Sequence, residues 1–215
     1  MKLYYTPLAC SLADHIALNE AGAAFERESV DLVTKKTASG ADFRAVTPKG
    51  YVPALVLDDG EVITENIAIL DWLAGEFPVL GQPGRLGRTR VLEALTFIST
   101  EIHRAFKPMW HAGSETQKAR ARATISGLFE EVSGWPQGDY LFGDRPGVAD
   151  FYLFVMLLWA RRFGVELPES LAALRRRMVA RPTVQAAMRH EGLLSLIEND
   201  IGIRVSEEKH YAQFG

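Results

Sequence analysis

The sequence is poor in cysteine and lacks a long apolar stretch. Among its 215 residues only Cys10 carries a thiol, which excludes an internal disulfide framework and a metal site built from several cysteines. The longest unbroken apolar run covers residues 151–160, about half of the roughly 20 residues that a membrane-spanning helix needs. This run is instead typical of a helix buried in a protein core.

Neither sign of charge dominates the whole chain. It holds 24 Lys and Arg against 27 Asp and Glu, a net charge of −3, which gives no indication of a nucleic-acid or membrane-surface partner. The distribution is uneven. Residues 1–77 hold 6 basic and 12 acidic side chains (net −6), whereas residues 78–215 hold 18 basic and 15 acidic side chains (net +3). This contrast indicates two units that meet near residue 80, although a random distribution of surface charge explains it equally well.

The first residues give an expectation about location. They lack the long apolar segment of a signal peptide, and residues 1–5 have instead the pattern of a short strand. A single thiol in a chain without an export signal is typical of the reducing cytoplasm. We therefore expect a cytoplasmic protein.

The first third of the chain alternates between strand and helix patterns. Predicted strands cover residues 3–5, 25–32, 54–57 and 61–64, the last two as a hairpin. The charged residues of the second strand predict that it lies at a sheet edge. Predicted helices cover residues 11–21, 41–46 and 66–77, the last capped by Asn66. The order βαβαββα predicts an α/β domain of the thioredoxin-like type.

A linker and an all-helical part follow. Residues 78–87 contain two prolines and three glycines, a composition typical of a linker. Beyond a first long helix, which Pro108 kinks or ends, we predict helices at residues 115–132, 150–163, 171–180 and 183–189. We therefore divide the chain into an α/β domain (1–78), a linker (79–87) and an all-α domain (88–215).

Cys10 is the first candidate for chemistry. It lies between a predicted strand and the start of a predicted helix, where free backbone N–H groups and the helix dipole favour the thiolate. The thiolate is the form that attacks disulfides. Cysteine is equally often a small buried apolar residue, so position alone leaves both interpretations open.

Two further patterns follow within the next 60 residues. Val52-Pro53 before a strand is able to present backbone groups to an extended peptide, although many such pairs are ordinary turns. Glu65 and Asn66 start a helix, where N–H groups bind a carboxylate and Glu65 pairs with an ammonium; a plain helix cap is the alternative. A thiol, a docking proline and this charged site, in this order, suit the tripeptide γ-Glu-Cys-Gly.

These residues together resemble a known family. The segments that carry the resemblance are residues 5–11, 35–37, 48–50, 52–55, 65–66, 97–103, Asp150 and 181–182. They are similar to the bacterial beta-class glutathione transferases, as far as about Leu194. The resemblance implies a thioredoxin-like domain followed by a helical domain, glutathione as co-substrate, no metal, and a homodimer.

The resemblance also implies roles for individual residues. Cys10 contacts the glutathione sulfur and forms a mixed disulfide with it, and it is favoured in this role over Tyr5 and Ser11. Val52 pairs its backbone with the tripeptide across a cis-proline, Pro53. Glu65 and Asn66 hold the γ-glutamyl end, and Lys35 reaches the glycyl end.

The first long helix supplies the remaining candidates. The resemblance places Thr100, Glu101 and His103 near the glutathione and the electrophile. The pattern agrees in part, since a face opposite the apolar stripe carries Thr96, Thr100, His103 and Trp110. Four positions depart from the family, which commonly has serine at Asn66, asparagine at Thr96, lysine at Arg104 and serine or threonine at Gly147. Four aromatic residues either line an apolar pocket or belong to the core: Phe106, Trp110, Trp159 and Phe163.

The expected activity is that of a glutathione S-transferase acting in detoxification. Such an enzyme conjugates glutathione to hydrophobic electrophiles, or reduces disulfides or peroxides with it through Cys10. The alternative is a glutathione-fold scaffold or regulatory binding protein without turnover, because a fold alone does not guarantee chemistry. We expect the first part of the tail after Leu194 to pack on the helical domain. For the residues after Gly202 ordered packing is favoured, and the alternatives are a loose end or a cover over the electrophile pocket.

Overall fold

The computed structural model describes residues 1–111 and 113–197. Its N-terminal part contains a four-stranded mixed sheet in the order β2-β1-β3-β4, formed by β1 (Lys2–Tyr5), β2 (Glu26–Ser29), β3 (Ala54–Val56) and β4 (Val62–Thr64). Strand β1 runs parallel to β2 and antiparallel to β3, which is antiparallel to β4. The helices of this part are α1 (Ser11–Glu20) and α2 (Asn66–Glu76). The predicted thioredoxin-like arrangement is confirmed.

The rest of the described chain is helical. Its elements are α3 (Gly87–Phe97), a π-helical stretch (Ile98–His103), α4 (Lys107–Trp110), α5 (Glu115–Val132), α6 (Val148–Arg162), α7 (Glu169–Val179) and α8 (Pro182–His190). No strand follows β4 within the described residues, as predicted. Leu193 and Ile197 are fully buried, as expected for the start of the tail, whereas the expectations for residues 198–215 lie outside the described residues.

Strand β1 separates two cores because its side chains alternate between the faces of the sheet. Leu3 and Tyr5 belong to the main core, which continues through the helical part. Tyr4 points to the opposite face and packs in a small cluster with Phe43. The two aromatic rings lie 5.3 Å apart between centroids. The strand is therefore covered on both faces, and the loop that leaves it starts from a rigid position.

Helix α6 is the centre of the helical part. Residues 148–160 are all buried, which confirms the prediction of a core helix from the apolar run. It packs against α1, which also contacts α8, so the two parts of the chain share one core. Within the described ranges, no helix has both the length and the apolar character that crossing a membrane requires.

Two local predictions need correction. The helix predicted at residues 41–46 is a 3₁₀ turn over Phe43–Ala45, because the side chain of Asp42 accepts a hydrogen bond from Arg44 N at 2.9 Å and holds a tighter turn. Asn66 does not cap α2 but is its first residue. The residue before it, Glu65, has a φ angle of 74° and turns the chain into the helix.

The start of α6 depends on Asp150. Gly147 has no side chain to accept a hydrogen bond, so only the reverse half of a capping box forms. Asp150 Oδ2 accepts from Gly147 N at 2.9 Å, and Oδ1 accepts from Leu141 N at 2.8 Å. Burial raises the pKa of Asp150 to about 6, although these donors act in the opposite direction. One carboxyl group thus joins the preceding loop to the helix.

We expect Asp150→Ala to lower the free energy of unfolding by about 2–4 kcal/mol, because two buried N–H groups lose their acceptor. Asp150→Asn keeps one acceptor and should lose about half as much. Urea unfolding followed by circular dichroism measures both values. The control is Asp144→Ala, at an exposed position nearby, which should stay within about 0.5 kcal/mol of the parent. An Asp150→Ala protein as stable as this control would contradict the role given to the carboxyl group.

Candidate active site

A cleft of about 790 Å³ lies between the sheet-containing part and the helical part. This volume is typical of small-molecule sites. The first wall comes from the loop after β1, the segments near residues 35 and 49–53, and the start of α2. The second wall comes from the π-helical stretch, α4 and α6. Seven predicted site residues line the cleft: Cys10, Lys35, Val52, Pro53, Glu65, Asn66 and His103.

The loop of residues 6–10 brings Cys10 to the cleft. Leu8, in the middle of this loop, has a φ angle of 63°, in the left-handed region that a branched side chain rarely adopts. Its N–H donates to Glu191 Oε2 at 3.2 Å, and its C=O accepts from Trp159 Nε1 at 2.8 Å. Two buried side chains of the helical part therefore hold the backbone of the loop.

A buried polar group lies under Cys10. Asp14, one turn further along α1, is fully buried, and burial raises its pKa well above the usual range. In the orientation that satisfies both acceptors, the Asn66 amide nitrogen donates to Cys10 O at 3.2 Å and to Asp14 Oδ2 at 2.8 Å. Asp14 Oδ1 has no hydrogen-bond partner among the described residues. Asn66 is thus a link between α2 and the start of α1.

The thiol of Cys10 keeps its proton. Burial, and after it the nearby Asp14 carboxyl group, raises the pKa of Cys10 to about 12. The backbone N–H groups of Cys10 and Ser11 act in the opposite direction but are outweighed. The N–H groups at the helix start favour the thiolate, as predicted, but the loss of hydration acts more strongly in the opposite direction.

Charged groups lie at the two ends of the first wall. Glu65 Oε1 pairs with Lys49 Nζ at 2.5 Å, and Lys49 also donates to Thr64 Oγ1 at 3.0 Å. At the other end, Lys35 Nζ donates to Gly50 O at 2.9 Å and lies 4.9 Å from the centre of the Tyr51 ring. One end therefore carries the carboxylate of Glu65, and the other end carries the ammonium group of Lys35.

The middle of the first wall is formed by backbone. The Val52–Pro53 peptide bond is cis, as the resemblance implied. Both residues line the cleft, directly before β3. A wall with a charged group at each end and backbone between them is suited to an extended peptide.

On the second wall, His103 contacts two aromatic residues of the core. Its Nδ1 lies 2.7 Å from Tyr152 Oη, and its ring meets the ring of Trp159 edge-on, with 4.8 Å between the centroids. Burial lowers the pKa of His103 to about 4. The imidazole is therefore neutral near pH 7 and available as a hydrogen-bonding group.

Two predicted sulfur-side residues do not line the cleft. Tyr5 is buried beneath the loop, where its ring lies 5.7 Å from the ring of His15. Ser11 is fully buried, and its hydroxyl exchanges hydrogen bonds with the backbone of Thr6 at 3.3 Å. Both side chains have structural contacts because α1 begins inside the core and not at its surface.

Three predicted residues of the long helix also lie outside the cleft lining. Thr96, Thr100 and Glu101 are exposed, and the Thr100 hydroxyl donates to Thr96 O at 3.0 Å. The prediction assumed an α-helical period throughout. The chain instead forms a π turn over Ile98–His103, which adds a residue per hydrogen-bonded turn and rotates the faces. Ser99, His103 and Arg104 face the cleft in consequence.

Sequence reasoning missed several lining residues. The local sequence gives no signal for Ser99 or Tyr152, since their positions depend on the π turn and on the packing of α6. The basic residues Lys107, His111 and Arg162 look like ordinary helix surface in the sequence. Of the four aromatic candidates, Trp110 and Trp159 line the cleft, whereas Phe106 is a fully buried core residue and Phe163 packs behind Trp110.

Comparisons with known proteins agree with this geometry. The models for the N-terminal and C-terminal domains of glutathione S-transferase match residues 9–76 and 95–182. Glutathione S-transferase GstA of Escherichia coli O157:H7 is 41% identical over 200 residues, which cover 90% of this chain and 100% of that protein. Glutathione S-transferase GST-4.5 of Xanthomonas campestris pv. campestris is 37% identical over 207 residues, with 90% and 100% covered.

Solved structures give the same result. A ternary complex of BphK, a bacterial glutathione transferase, is 44% identical with a TM-score of 0.84, and covers 90% of this chain and 100% of its own. A sphingomonad glutathione S-transferase complexed with glutathione is 42% identical with a TM-score of 0.83, at 90% and 100% coverage. Because relatives at this level of identity are matched over their whole length, the chain belongs to the glutathione S-transferase family.

Proposed function

We propose that the protein conjugates the thiol of glutathione to an electrophilic carbon of a small molecule held against the second wall. The observation that carries this proposal is the order of groups along the first wall: an acid with a helix start, a cis-proline with free backbone, and a lysine. These groups match the ammonium and carboxylate ends and the backbone of γ-Glu-Cys-Gly. Cys10 lies beside the middle of this line, where the cysteine of the tripeptide would be.

Glutathione is bound in an extended conformation in this proposal. Glu65 accepts the γ-glutamyl ammonium, and the N–H groups at the start of α2, near Asn66, bind the γ-glutamyl carboxylate. The backbone of Val52 pairs with the tripeptide beside Pro53. Lys35 reaches the glycyl carboxylate from the far end. The Lys49–Glu65 ion pair is exposed and therefore weak, so an incoming ammonium is able to share the carboxylate of Glu65.

The chemical step needs the glutathione thiolate. A new C–S bond forms at the electrophilic carbon while the leaving group departs with its electron pair, and the thiol proton passes to solvent. Because Cys10 holds its own proton, it acts as a hydrogen-bond donor to the glutathione sulfur and favours the thiolate there. The neutral imidazole of His103 adds a second polar group on the opposite wall.

A second candidate activity is thiol–disulfide exchange or peroxide reduction through Cys10. The position of Cys10 in the cleft favours it, since a mixed disulfide with glutathione needs that contact. The raised pKa of Cys10 makes it the slower route near pH 7. A binding protein without turnover is the remaining alternative. Glutathione titration by calorimetry, followed by turnover of 1-chloro-2,4-dinitrobenzene and of a glutathione mixed disulfide, separates the three.

We also propose that the protein works as a closed homodimer, the commonest oligomer of soluble proteins. The acidic N-terminal part (net −6) and the basic remainder (net +3) favour contact between unlike parts of two subunits. Thr96, Thr100 and Glu101 are exposed and do not reach their own cleft, so a role at a glutathione site requires the cleft of a partner.

Light scattering should give a mass of about 48 kDa, twice the chain mass of 23.9 kDa. High salt should shift the equilibrium towards monomer, because it screens attraction between exposed charges. A mass of one chain at every protein concentration would rule out the dimer.

Glu65→Gln should weaken glutathione binding about tenfold to a hundredfold, since a charge-assisted contact contributes roughly 1.5–3 kcal/mol. Calorimetric titration measures the Kd directly. Glu61→Gln removes the same charge at an exposed position outside the cleft and should leave the Kd within about twofold. Equal Kd values for the two variants would refute the placement of the γ-glutamyl end.

Cys10 should react slowly with iodoacetamide at pH 7 in the absence of glutathione. The rate should rise about tenfold per pH unit up to at least pH 10, because the thiolate fraction grows in this way below the pKa. Intact mass spectrometry follows the reaction without ambiguity, since Cys10 is the only cysteine. The Cys10→Ser protein gives the background. A rate that levels off below pH 9 would show a stabilised thiolate and reverse the roles proposed for the two sulfurs.

A further inference from the structure

The second wall of the cleft carries a group of basic side chains that the conjugation chemistry does not use. Arg104 directly follows the π-helical stretch, Lys107 is the first residue of α4, and Arg162 comes from the last turn of α6. All three are exposed and line the cleft, together with His111. They lie across the cleft from Glu65, Pro53 and Lys35, the residues proposed to bind glutathione.

The charge of the cleft is opposite to that of the chain. Its lining holds five Lys or Arg side chains and one carboxylate, Glu65, which is paired with Lys49. The whole chain has a net charge of −3. Arg104 and Lys107 have no ion-pair partner within residues 1–111 and 113–197. A concave surface with unpaired charges of one sign concentrates ligands of the opposite sign.

The basic group shares the cleft with an aromatic surface. The rings of Trp110 and Trp159 lie 5.0 Å apart between centroids. The Arg162 guanidinium lies 5.4 Å from the centre of the Trp110 ring, within the range of a cation–π contact that fixes its position. An aromatic ring placed here would meet flat apolar faces and a cationic side chain.

We propose that the preferred electrophile is an aromatic carboxylate, a planar activated ring whose acid group is bound by Arg162 and Lys107. This inference rests on the proposed conjugation. In the reaction the glutathione sulfur bonds to a ring carbon, a halide leaves that carbon with the bonding electron pair, and the thiol proton goes to solvent. The carboxylate is not consumed. It orients the ring through a bidentate contact that a guanidinium provides and a neutral substituent does not replace.

The test compares an acid with its amide. The two substrates are 4-chloro-3,5-dinitrobenzoate and 4-chloro-3,5-dinitrobenzamide, and each kcat/KM is divided by the uncatalysed rate with glutathione. We expect the acid to be favoured by about tenfold at low ionic strength, and the preference to fall several-fold near 0.5 M salt. Equal corrected values for acid and amide at low salt would overturn the inference while leaving the conjugation itself intact.

Variants locate the preference in the second wall. Arg162→Gln and Lys107→Gln should each lower the acid-to-amide ratio by about threefold, and the double variant by about tenfold. Arg120→Gln removes an exposed charge of α5 outside the cleft lining and should keep the parental ratio. If the ratio of the double variant equals that of Arg120→Gln, the basic group does not select the substrate.

A binding measurement keeps the inference testable without turnover. The unreactive pair 3,5-dinitrobenzoate and 3,5-dinitrobenzamide quenches tryptophan fluorescence, and Trp110 and Trp159 line the cleft. The acid should bind about tenfold more tightly than the amide in the glutathione-loaded parent protein, and this difference should shrink in the Arg162→Gln/Lys107→Gln protein. Failure of glutathione to bind would count against the proposed function, whereas equal Kd values for acid and amide would count only against the substrate class.

Discussion

The hydrogen bonds at Leu8 are the constraint on which the site depends. The N–H of Leu8 is bound by Glu191 and its C=O by Trp159, so the loop carrying Cys10 is held by the helical part and not by its own strand alone. The second oxygen of Glu191 lies 2.9 Å from His15 Nδ1. The Arg27 guanidinium is a hydrogen-bond donor only, and its Nη1 lies 3.3 Å from His15 Nε2. His15 Nε2 is therefore the acceptor, and the ring proton is on Nδ1. Burial raises the pKa of Glu191, and these donors favour its carboxylate.

The same burial sets the chemistry of the first wall. Loss of hydration raises the pKa of the half-buried Cys10 and of the fully buried Asp14, so both groups keep their protons more firmly than in solution. A neutral thiol is a poor nucleophile but a suitable hydrogen-bond donor to another sulfur. In the function proposed above, the reactive sulfur is that of glutathione, and the protonated thiol of Cys10 donates a hydrogen bond to it.

Sequence reasoning succeeded where the signal is local. The hairpin, helix α5 and the first-wall residues Cys10, Pro53 and Glu65 are marked by neighbouring residues, and the structure brings all three to one cleft. It failed where position depends on distant contacts. The hydrogen bond between Leu8 and Glu191 joins residues that are 183 positions apart in the sequence, and no local pattern predicts it. The π turn was not predicted either. A pattern of apolar and polar residues looks the same whether one turn of the helix is α-helical or contains the extra residue of a π turn.

The two walls of the cleft therefore differ in the kind of group that each offers to a ligand. The proposed contacts of the first wall combine backbone groups beside Pro53 and a helix start with the side chains of Glu65 and Lys35. The second wall uses the ends of long side chains: Arg104 follows the π turn, and Arg162 ends α6. A substitution there changes the ligand surface without disturbing the core, because the backbone of α6 is held by its buried face. If the proposed substrate class is correct, selectivity for the electrophile lies in the second wall, and its positive charge distinguishes an acid from a neutral substrate.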